Sequence, residues 1–419
     1  MFELKLRGKE NFLSQEFLSR GFFSPVKLLN NVVAVFTLSL MPILWNELSK
    51  EYSFYVTLSA AILMLASVAI ARGYELVDPR TALLTGIYFL LFGVCATISY
   101  TLVADAAPGR GDHLTYYWGI LVFGALYFAF GGVIAATPPR AGIVSAFLIL
   151  ACYTVIQRES FQISGLQARG FTEGIDTPYQ QLGDSFAICS IAVLAFVRRS
   201  WLAALIAVVS IVLLFVLPSR SAAVFGSIAL LATIALYATL RMRVFLTVVI
   251  AIAVIVLQGP IIRQVNVAFE GSRHQAIIIS PSEDESNLER ATILSVGMRV
   301  IRDNPIFGYF GFEYAKFGEG GYYIHNVLDI WAQAGVFPFA AFALLWFYLC
   351  RQVWLLYARD KTLAIPAIGL LMFVALSWIF ARHAANAHLY LCLGYMAGVM
   401  QAAYGSFLPS PRADKSWHQ

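Results

Sequence analysis

Long apolar segments alternate with short polar connections along most of the chain. We predict about twelve membrane-spanning helices from this pattern, because a helix of about 20 apolar residues is long enough to cross a bilayer. The predicted spans cover residues 27–46, 54–71, 82–103, 115–136, 142–157, 184–197, 201–217, 221–240, 244–258, 327–350, 363–381 and 386–405. Several are shorter than an ideal span, so their boundaries are approximate.

These spans divide the chain into four parts. Residues 1–258 hold the first nine helices, and residues 259–326 form the largest polar stretch. Residues 327–405 hold the last three helices, and residues 406–419 form a short polar tail. The predicted fold class is therefore all-α: a polytopic membrane protein of about twelve transmembrane helices, with a large outside loop that contains short helices.

Composition excludes a soluble domain, because 59% of the 419 residues are hydrophobic, 13% are charged and the mean hydropathy is +0.73. The net charge of +5 is explained by topology-setting loop residues rather than by nucleic-acid binding. The five cysteines all lie inside apolar segments and predict no disulfide or metal cluster. The first 25 residues carry no cleavage site, so we expect the first span to serve as the targeting signal.

Basic residues in the short connections fall mainly on one side of the predicted spans. The positive-inside rule therefore places both termini in the cytoplasm. Two long loops, 158–183 and 259–326, then face outside. Long loops escape this rule more easily, so their arginines are free to serve other purposes.

Within the second loop we predict a helix of about four turns that ends near Asp303. Ser286 and Glu289 form a capping-box pattern at its start. Its apolar residues recur at helical spacing, namely Leu288, Ala291, Leu294, Met298 and Ile301. We expect this helix to lie near the outer membrane–water boundary and to cover the bundle.

The stretch after this helix has an unusual composition. Asn304-Pro305 ends the helix, and His325-Asn326 lies where the next span begins. Glycines and aromatic residues fill the interval: Gly308, Gly311, Gly318, Gly320, Gly321, Phe307, Tyr309, Phe310, Phe312, Tyr314, Phe317, Tyr322 and Tyr323. Such a loop can hold a sugar hydroxyl beside a base. It is equally typical of an interfacial aromatic belt with a structural histidine.

His325 is the candidate base, because a neutral imidazole accepts a proton near pH 7. Asp329 follows four residues later and either orients His325, if the helix has already begun, or faces water. No HExxH, DxD or Cys/His metal-binding pattern is present, so we expect neither a metal nor another cofactor.

Arg220 opens an apolar span directly after Leu217-Pro218-Ser219. An arginine at a helix N-terminus is well suited to bind a diphosphate. The alternative is an interfacial arginine whose side chain snorkels to water. For Arg169, Arg290 and Arg299 the alternative is a solvated arginine in a polar loop or on a polar helix face.

The order of these residues carries a resemblance. Asn304-Pro305-Ile306-Phe307-Gly308, then His325-Asn326, then an apolar run through Gly335 resembles the C-terminal signature of the O-antigen ligase and polymerase superfamily. Arg290, Ser219-Arg220-Ser221 and Arg169-Gly170-Phe171 extend the resemblance to roughly residues 165–345. Two stretches depart from the pattern: 176–180, which replaces an Asn-rich continuation, and 335–338, where such proteins often carry a second small residue.

The resemblance implies a GT-C-like glycosyltransferase on the periplasmic face of a bacterial inner membrane. Its donor would be a glycan on undecaprenyl diphosphate, and the polyprenyl tail would lie among membrane lipids in a lateral groove. Arg220 and Arg169 would bind the diphosphate, with Arg290 and Arg299 as further candidates. His325 would deprotonate an acceptor hydroxyl, positioned by Asn326 and Asp329, for attack with inversion. The arginines would stabilise the leaving group electrostatically, without metal.

Two acceptors are open within that family. Transfer to lipid A-core makes an O-antigen ligase, which we favour because the long outside loop is a single block before His325. Transfer to another lipid-linked repeat makes a polymerase. A transporter for the same lipid is the alternative of a different class. It would be expected to have matching broken spans and ionisable groups at mid-membrane depth, whereas the charges here gather at the predicted outer ends.

Overall fold

The structure, a computed structural model, describes residues 25–47, 77–102, 110–136, 140–157, 178–197, 199–217, 219–237, 285–318, 324–381 and 386–405. Helices dominate these ranges, and no strand occurs in them. The predicted spans 54–71 and 244–258, Arg169 and the tail 406–419 lie outside the described residues.

The described helices follow the predicted spans in order. In chain order they are α1 (Pro25–Val35), a π-helical turn (Phe36–Leu40), α2 (Met41–Glu47), α3 (Pro79–Leu102), α4 (Arg110–Ala136), α5 (Arg140–Ile156), α6 (Pro178–Leu194), α7 (Ser200–Val216), α8 (Arg220–Tyr237), α9 (Glu285–Asp303), α10 (Phe312–Phe317), α11 (Leu328–Ala334), α12 (Val336–Arg359), α13 (Lys361–Phe380) and α14 (Ala387–Gly405).

A helical membrane protein fits this arrangement, but twelve spans are not confirmed. Within the described ranges four helices are long and apolar enough to cross a bilayer, namely α3, α8, α12 and α13. Shorter apolar helices cover Leu28–Leu44, Leu121–Ala135, Arg140–Ile156 and Trp201–Val216.

The prediction of one continuous helix over residues 327–350 is wrong. It divides into the short helix α11 and the long helix α12, which runs on to Arg359. The division falls at Gly335, whose φ is 86°, a backbone conformation that glycine adopts without steric cost. Pro338 lies in the first turn of α12, where a proline breaks no intrahelical hydrogen bond.

Burial separates the centre of the bundle from its surface. Residues 182–194 of α6 and 389–400 of α14 are all buried. The outer helices instead expose large apolar side chains, among them Leu90 at 63%, Phe347 at 71% and Trp354 at 73%. Soluble proteins rarely expose so much apolar surface, so these faces are compatible with a membrane protein.

The central helix α14 packs most closely against α4. A Cβ atom on Gly131 would meet the backbone of Leu391, and one on Gly394 would meet the backbone of Phe128. Gly398 approaches Gly132 in the same way. Small residues allow such close helix packing in membranes. Because later residues of α4 meet later residues of α14, the two helices run parallel.

Several helix ends meet at one end of the bundle, which we call the site end: α6, α8, α12 and α14 begin there, and α13 ends there. Asp184 of α6 accepts a hydrogen bond from Asn386, just before α14, over 2.8 Å. Phe225 of α8 packs against Phe380 of α13, with ring centroids 6.1 Å apart. These contacts place the helix ends at a common level.

Helix α3 extends beyond that level. The hydroxyl of Tyr88, in the middle of α3, lies 3.0 Å from the hydroxyl of Tyr390, near the start of α14. From Tyr88 to Leu102 the helix rises about 21 Å further. The last turns of α3 therefore form a wall beside the site end, and the segments that follow α9 are bonded to that wall.

Helix α9 packs over the site end, but not with the predicted face. Its buried residues are Ile293, Gly297, Val300 and Ile301, and a Cβ on Gly297 would clash with Ile324. Of the predicted stripe, Leu288, Leu294 and Met298 are exposed at 58%, 37% and 45%, Ala291 is exposed as well, and only Ile301 is buried. The helix begins at Glu285, so Ser286 lies within its first turn rather than at its N-cap.

Candidate functional site

The segment after α9 is bonded to the junction between α11 and α12. Val336 donates its backbone N–H to the carbonyls of Pro305 and Ile306, over 3.1 and 3.2 Å. The indole N–H of Trp331 also donates to Pro305, over 2.9 Å. Gly335 lies directly against the Ile306 carbonyl, where no Cβ would fit. The segment that follows Asn304-Pro305 is thus in direct contact with Gly335, which lies far from it in the sequence.

The glycine-rich part continues along α11 to the wall of α3. Tyr309 donates its backbone N–H to the carbonyl of Ala332 over 2.7 Å. The hydroxyl of Ser99, on α3, donates to the Gly308 carbonyl over 3.0 Å and accepts the Phe310 N–H over 2.8 Å. Ser99 is buried, so these bonds hold the segment without access to water.

Gln333 fixes the rest of this segment. Its side-chain oxygen accepts the backbone N–H of Gly311 over 2.8 Å, and its amide nitrogen donates to the Glu313 carboxylate over 2.7 Å. Gln333 and Glu313 are both fully buried. Satisfied buried polar bonds are specific and costly to break, so the loop has one defined course around α11.

His325 and Asn326 form a half-buried turn just before α11. The side-chain oxygen of Asn326 accepts the Leu328 N–H over 2.9 Å, and its carbonyl accepts the Asp329 N–H over 3.1 Å. Val327 donates its N–H to the carbonyl of Trp378, in the last turn of α13, over 2.7 Å. Asn326 thus accepts two backbone N–H groups from the first turn of α11 and holds the turn that carries His325.

Asp329 does not face water, so that sequence-based alternative is wrong. Its side chain is fully buried. Asp329 and His325 also do not lie on one helix, as their predicted pairing requires, because α11 begins at Leu328, after the histidine. Asp329 therefore belongs to the protein interior beneath the turn.

Arg220 is the first residue of α8 and is half-buried. Ser219 before it is buried against Gly183 of α6, where an added Cβ would come within 2.7 Å of the serine Cβ. Five residues further on, Phe225 packs on Phe380. The last turn of α13 thus contacts both the helix of Arg220 and the turn of His325.

The sequence made Arg290 and Arg299 equal candidates for diphosphate binding, but they lie on different faces of α9. Arg290 is half-buried and shares a face with Ile293 and Gly297, the face that packs on Ile324. Arg299 is exposed and, by helical spacing, lies on the opposite face. Arg290 therefore lies on the packed face of α9, and Arg299 lies on its exposed face. Arg169 lies outside the described residues.

Three buried polar residues at the site end were missed by the sequence reasoning: Asp184, Asn386 and His388. Asn386 donates its side-chain N–H to the Asp184 carboxylate, and its side-chain oxygen accepts the His388 N–H over 3.1 Å. The His388 ring packs edge-on against Tyr127, with centroids 4.9 Å apart. The available signal was an ionisable residue inside or beside an apolar span.

Chemically, this arrangement offers a half-buried imidazole and a cationic helix N-terminus around one helix end. These groups suit proton transfer and anion binding. In the part of the chain that the structure describes, no three His, Cys, Asp or Glu residues lie close enough together to hold a metal ion. A scan against models of known protein families found no match, and a search of curated proteins found none.

Proposed function

We propose that this chain is a glycosyltransferase of the periplasmic face of the bacterial inner membrane. It moves a glycan from undecaprenyl diphosphate to an acceptor hydroxyl, with lipid A-core as the favoured acceptor. The observation that carries the proposal is the last turn of α13, which contacts both the His325 turn through Trp378 and the Arg220 helix through Phe380. A base and a diphosphate-binding group are thereby anchored to one short element.

In the proposed mechanism, His325 removes the proton of the acceptor hydroxyl, which attacks the anomeric carbon of the donor glycan with inversion. The bond from that carbon to the diphosphate oxygen breaks, and undecaprenyl diphosphate leaves. Arg220, together with Arg169 and Arg290, stabilises the negative charge that develops on the leaving group. The donor already contains an activated bond, so neither nucleotide nor metal takes part.

A polymerase, which takes a second lipid-linked repeat as acceptor, uses the same residues in the same steps. The two activities differ only in the molecule that supplies the hydroxyl. Both acceptors are therefore tested in one assay.

A transporter for lipid-linked glycans is supported by a different observation. The first helical segment contains a π-helical turn at Phe36–Leu40, and the segment near the C-terminus breaks at Gly335. Interrupted helices are typical of transporters. In contrast to a transporter's midplane site, the polar residues described above lie at the site end, which favours the enzyme.

The test uses the purified protein in detergent micelles, with undecaprenyl-diphosphate-linked glycan as donor and either lipid A-core or a second donor molecule as acceptor. Excess chelator is present throughout. We expect the glycan to appear on lipid A-core, detected by mass spectrometry, because transfer needs no membrane barrier.

The other outcomes separate the alternatives. Chain growth on the lipid-linked repeat alone would indicate a polymerase. Absence of any transfer in micelles, combined with movement of labelled donor across proteoliposome membranes, would indicate a transporter. Activity that returns only when a divalent ion is added would contradict the metal-independent mechanism.

A further inference from the structure

A small hydrophobic core lies at the site end, separate from the core of the helix bundle. It brings together buried residues of α9, of the glycine-rich segment, of the position before His325 and of α11, namely Val300, Ile301, Tyr309, Phe312, Ile324 and Ala332. We call this cluster the loop core. It joins four pieces of the chain, so the position of each piece depends on how firmly the others are held.

Gln333 holds one of these pieces through both ends of its side-chain amide. Its oxygen accepts the Gly311 N–H over 2.8 Å, and its nitrogen donates to the Glu313 carboxylate over 2.7 Å. The partners fix the orientation of the amide, because a backbone N–H only donates and a carboxylate only accepts. Gln333 and Glu313 are fully buried, so breaking their bond leaves polar groups without water to replace it.

Phe312 lies between the two residues that Gln333 holds. Its side chain is fully buried in the loop core, and its N–H donates to the Tyr309 carbonyl over 3.1 Å. Ser99 of α3 bonds the residues just before this point, through the Gly308 carbonyl and the Phe310 N–H. Gln333 thus supports Phe312 from the side of α11.

Ile324 connects the loop core to the candidate base. Its side chain is 1% exposed, belongs to the loop core and lies against Gly297 of α9. Its carbonyl accepts the Asn326 N–H over 2.7 Å, which closes a tight turn around His325. Close-packed interiors transmit strain, so a displaced Phe312 loosens Ile324 and the turn that carries His325.

We propose that Gln333 is a positioning residue: its amide, bonded to Gly311 and Glu313, keeps Phe312 in the loop core and thereby holds His325 in the geometry that glycan transfer requires. The catalytic half of this inference rests on the proposed function. The structural half, that Gln333 holds the turn of His325, is measurable without any activity.

A reciprocal exchange of the two bonded side chains is the sharpest test. Gln333→Glu keeps the size of the side chain and an oxygen for the Gly311 N–H, but it places a second carboxylate against Glu313, and like charges at this distance repel. Adding Glu313→Gln returns a donor to the pair. The amide at position 313 then donates to the carboxylate at position 333, so the hydrogen bond forms again in the opposite direction.

The first measurement is hydrogen–deuterium exchange of the intact protein in micelles, followed by mass spectrometry of peptides that cover residues 308–318 and 324–331. Gln333→Glu should speed exchange in both regions, and the double variant should return it towards the wild-type rate. Gln352→Glu is the matched control. Gln352 is also buried, but it lies on α12 roughly 24 Å along the helix from the site end, so exchange in both regions should stay unchanged.

The second measurement is steady-state transfer kinetics. Gln333→Glu should lower kcat by about ten- to a hundredfold, since small misplacements of catalytic groups have effects of that order. The KM for the donor should change far less, because Arg220 lies on α8, outside the loop core. The double variant should recover most of the lost kcat, and Gln352→Glu should match wild type in both constants.

Rescue separates positioning from general loss of stability, because a second substitution in a buried core restores function only where the two side chains interact. If Gln333→Glu does not fold, the added Glu313→Gln should recover a folded protein. Gln333→Met, which removes both hydrogen bonds without adding charge, then takes its place in the exchange and kinetic comparisons.

Failure of Glu313→Gln to rescue Gln333→Glu would overturn the inference. Unchanged exchange at 324–331, or faster exchange there with wild-type kcat, would overturn it as well. If the wild-type protein transfers no glycan, the proposed function fails. The exchange comparison among Gln333→Glu, the double variant and Gln352→Glu then still decides whether Gln333 holds the turn.

Discussion

The backbone N–H of Val327 donates a hydrogen bond to the carbonyl oxygen of Trp378, over 2.7 Å. Trp378 lies in the last turn of α13, where the carbonyls of a helix have no partner inside the helix. Val327 follows the His325–Asn326 turn directly. This bond therefore provides a partner for a carbonyl at the end of α13 and also holds the turn that carries His325.

The first prediction concerns Arg220. Replacement by lysine keeps the positive charge but removes the planar group that grips a phosphate through two hydrogen bonds. We expect Arg220→Lys to insert normally in the membrane and to lose most of its glycan transfer, with a raised KM for the donor. The measurement is transfer in micelles at several donor concentrations.

Arg199 provides the matched control for this change. It stands directly before a helix, α7, as Arg220 stands at the start of α8, but its side chain is exposed and away from the site end. Arg199→Lys should transfer glycan at the wild-type rate. Near wild-type transfer by Arg220→Lys would show that the diphosphate role is wrong.

The second prediction separates the arginines of α9. Arg290 shares the face that packs on Ile324, whereas Arg299 and Arg302 are exposed. Arg290→Ala should reduce transfer about tenfold or more, since a hydrogen bond to a charged group contributes about 1.5–3 kcal/mol. Arg299→Ala should have a smaller effect, and Arg302→Ala serves as the control with none.

Equal losses in Arg290→Ala and Arg302→Ala would mean that α9 acts through its overall charge. The orientation of α9 relative to the His325 turn would then have no bearing on donor binding. Circular dichroism of each variant checks that the helix content is unchanged.

The sequence predicted most helices because span length and hydrophobicity are local properties. It failed at Gly335, where the break depends on the backbone of Ile306 in a different segment. A run of apolar residues through Gly335 carries no local sign that the chain must bend there. Only the contact between the two segments requires it.

The buried face of α9 could not be predicted from the sequence either. Apolar periodicity favoured Leu288, Leu294 and Met298, yet the buried face is built around Gly297, which lets Ile324 approach. Glycine adds nothing to an apolar stripe, so periodicity cannot detect a contact that depends on its missing side chain. The Gln333–Glu313 bond was missed for a similar reason, because it pairs polar residues far apart in the chain.

The third prediction compares two glycines with positive φ. Gly335 has a φ of 86° and lies against the Ile306 backbone, whereas Gly318 has a φ of 83° with open space around it. Gly318→Ala should cost about 1–2 kcal/mol, the strain of a left-handed residue. Gly335→Ala should cost clearly more, because the backbone it meets cannot move aside.

Thermal unfolding of the two variants in detergent measures this difference. We expect Gly335→Ala to have the lower Tm and to lose transfer, since the junction of α11 and α12 supports the loop around Gln333. Equal Tm values would mean that the Gly335–Ile306 contact can relax without loss.

The fourth prediction concerns topology, which the basic residues set. Ser295 is exposed on α9, which we expect outside, and Lys361 is exposed at the start of α13, which we expect inside. On intact spheroplasts a membrane-impermeant maleimide should label Ser295→Cys, while Lys361→Cys should react only after lysis. The reverse pattern would place the candidate site in the cytoplasm and end the proposed mechanism.

The last prediction concerns His325 itself, on which the mechanism depends. A general base contributes about 10²–10⁴-fold in rate. His325→Gln keeps a side chain that can form hydrogen bonds but cannot accept the proton, so it should lose transfer by that factor. Donor binding should remain, because it depends on Arg220 and its partners.

Asn326 supplies the comparison that isolates the base from its support. Asn326→Ala removes the side-chain acceptor of the Leu328 N–H, a hydrogen bond that contributes about 0.5–1.5 kcal/mol, and should slow transfer less than His325→Gln. Asn326→Asp keeps an accepting oxygen and should retain more activity than the alanine variant. If His325→Gln kept most of its turnover while Asn326→Ala lost it, the turn would serve only to shape the acceptor site, and the proton would have to pass to another group.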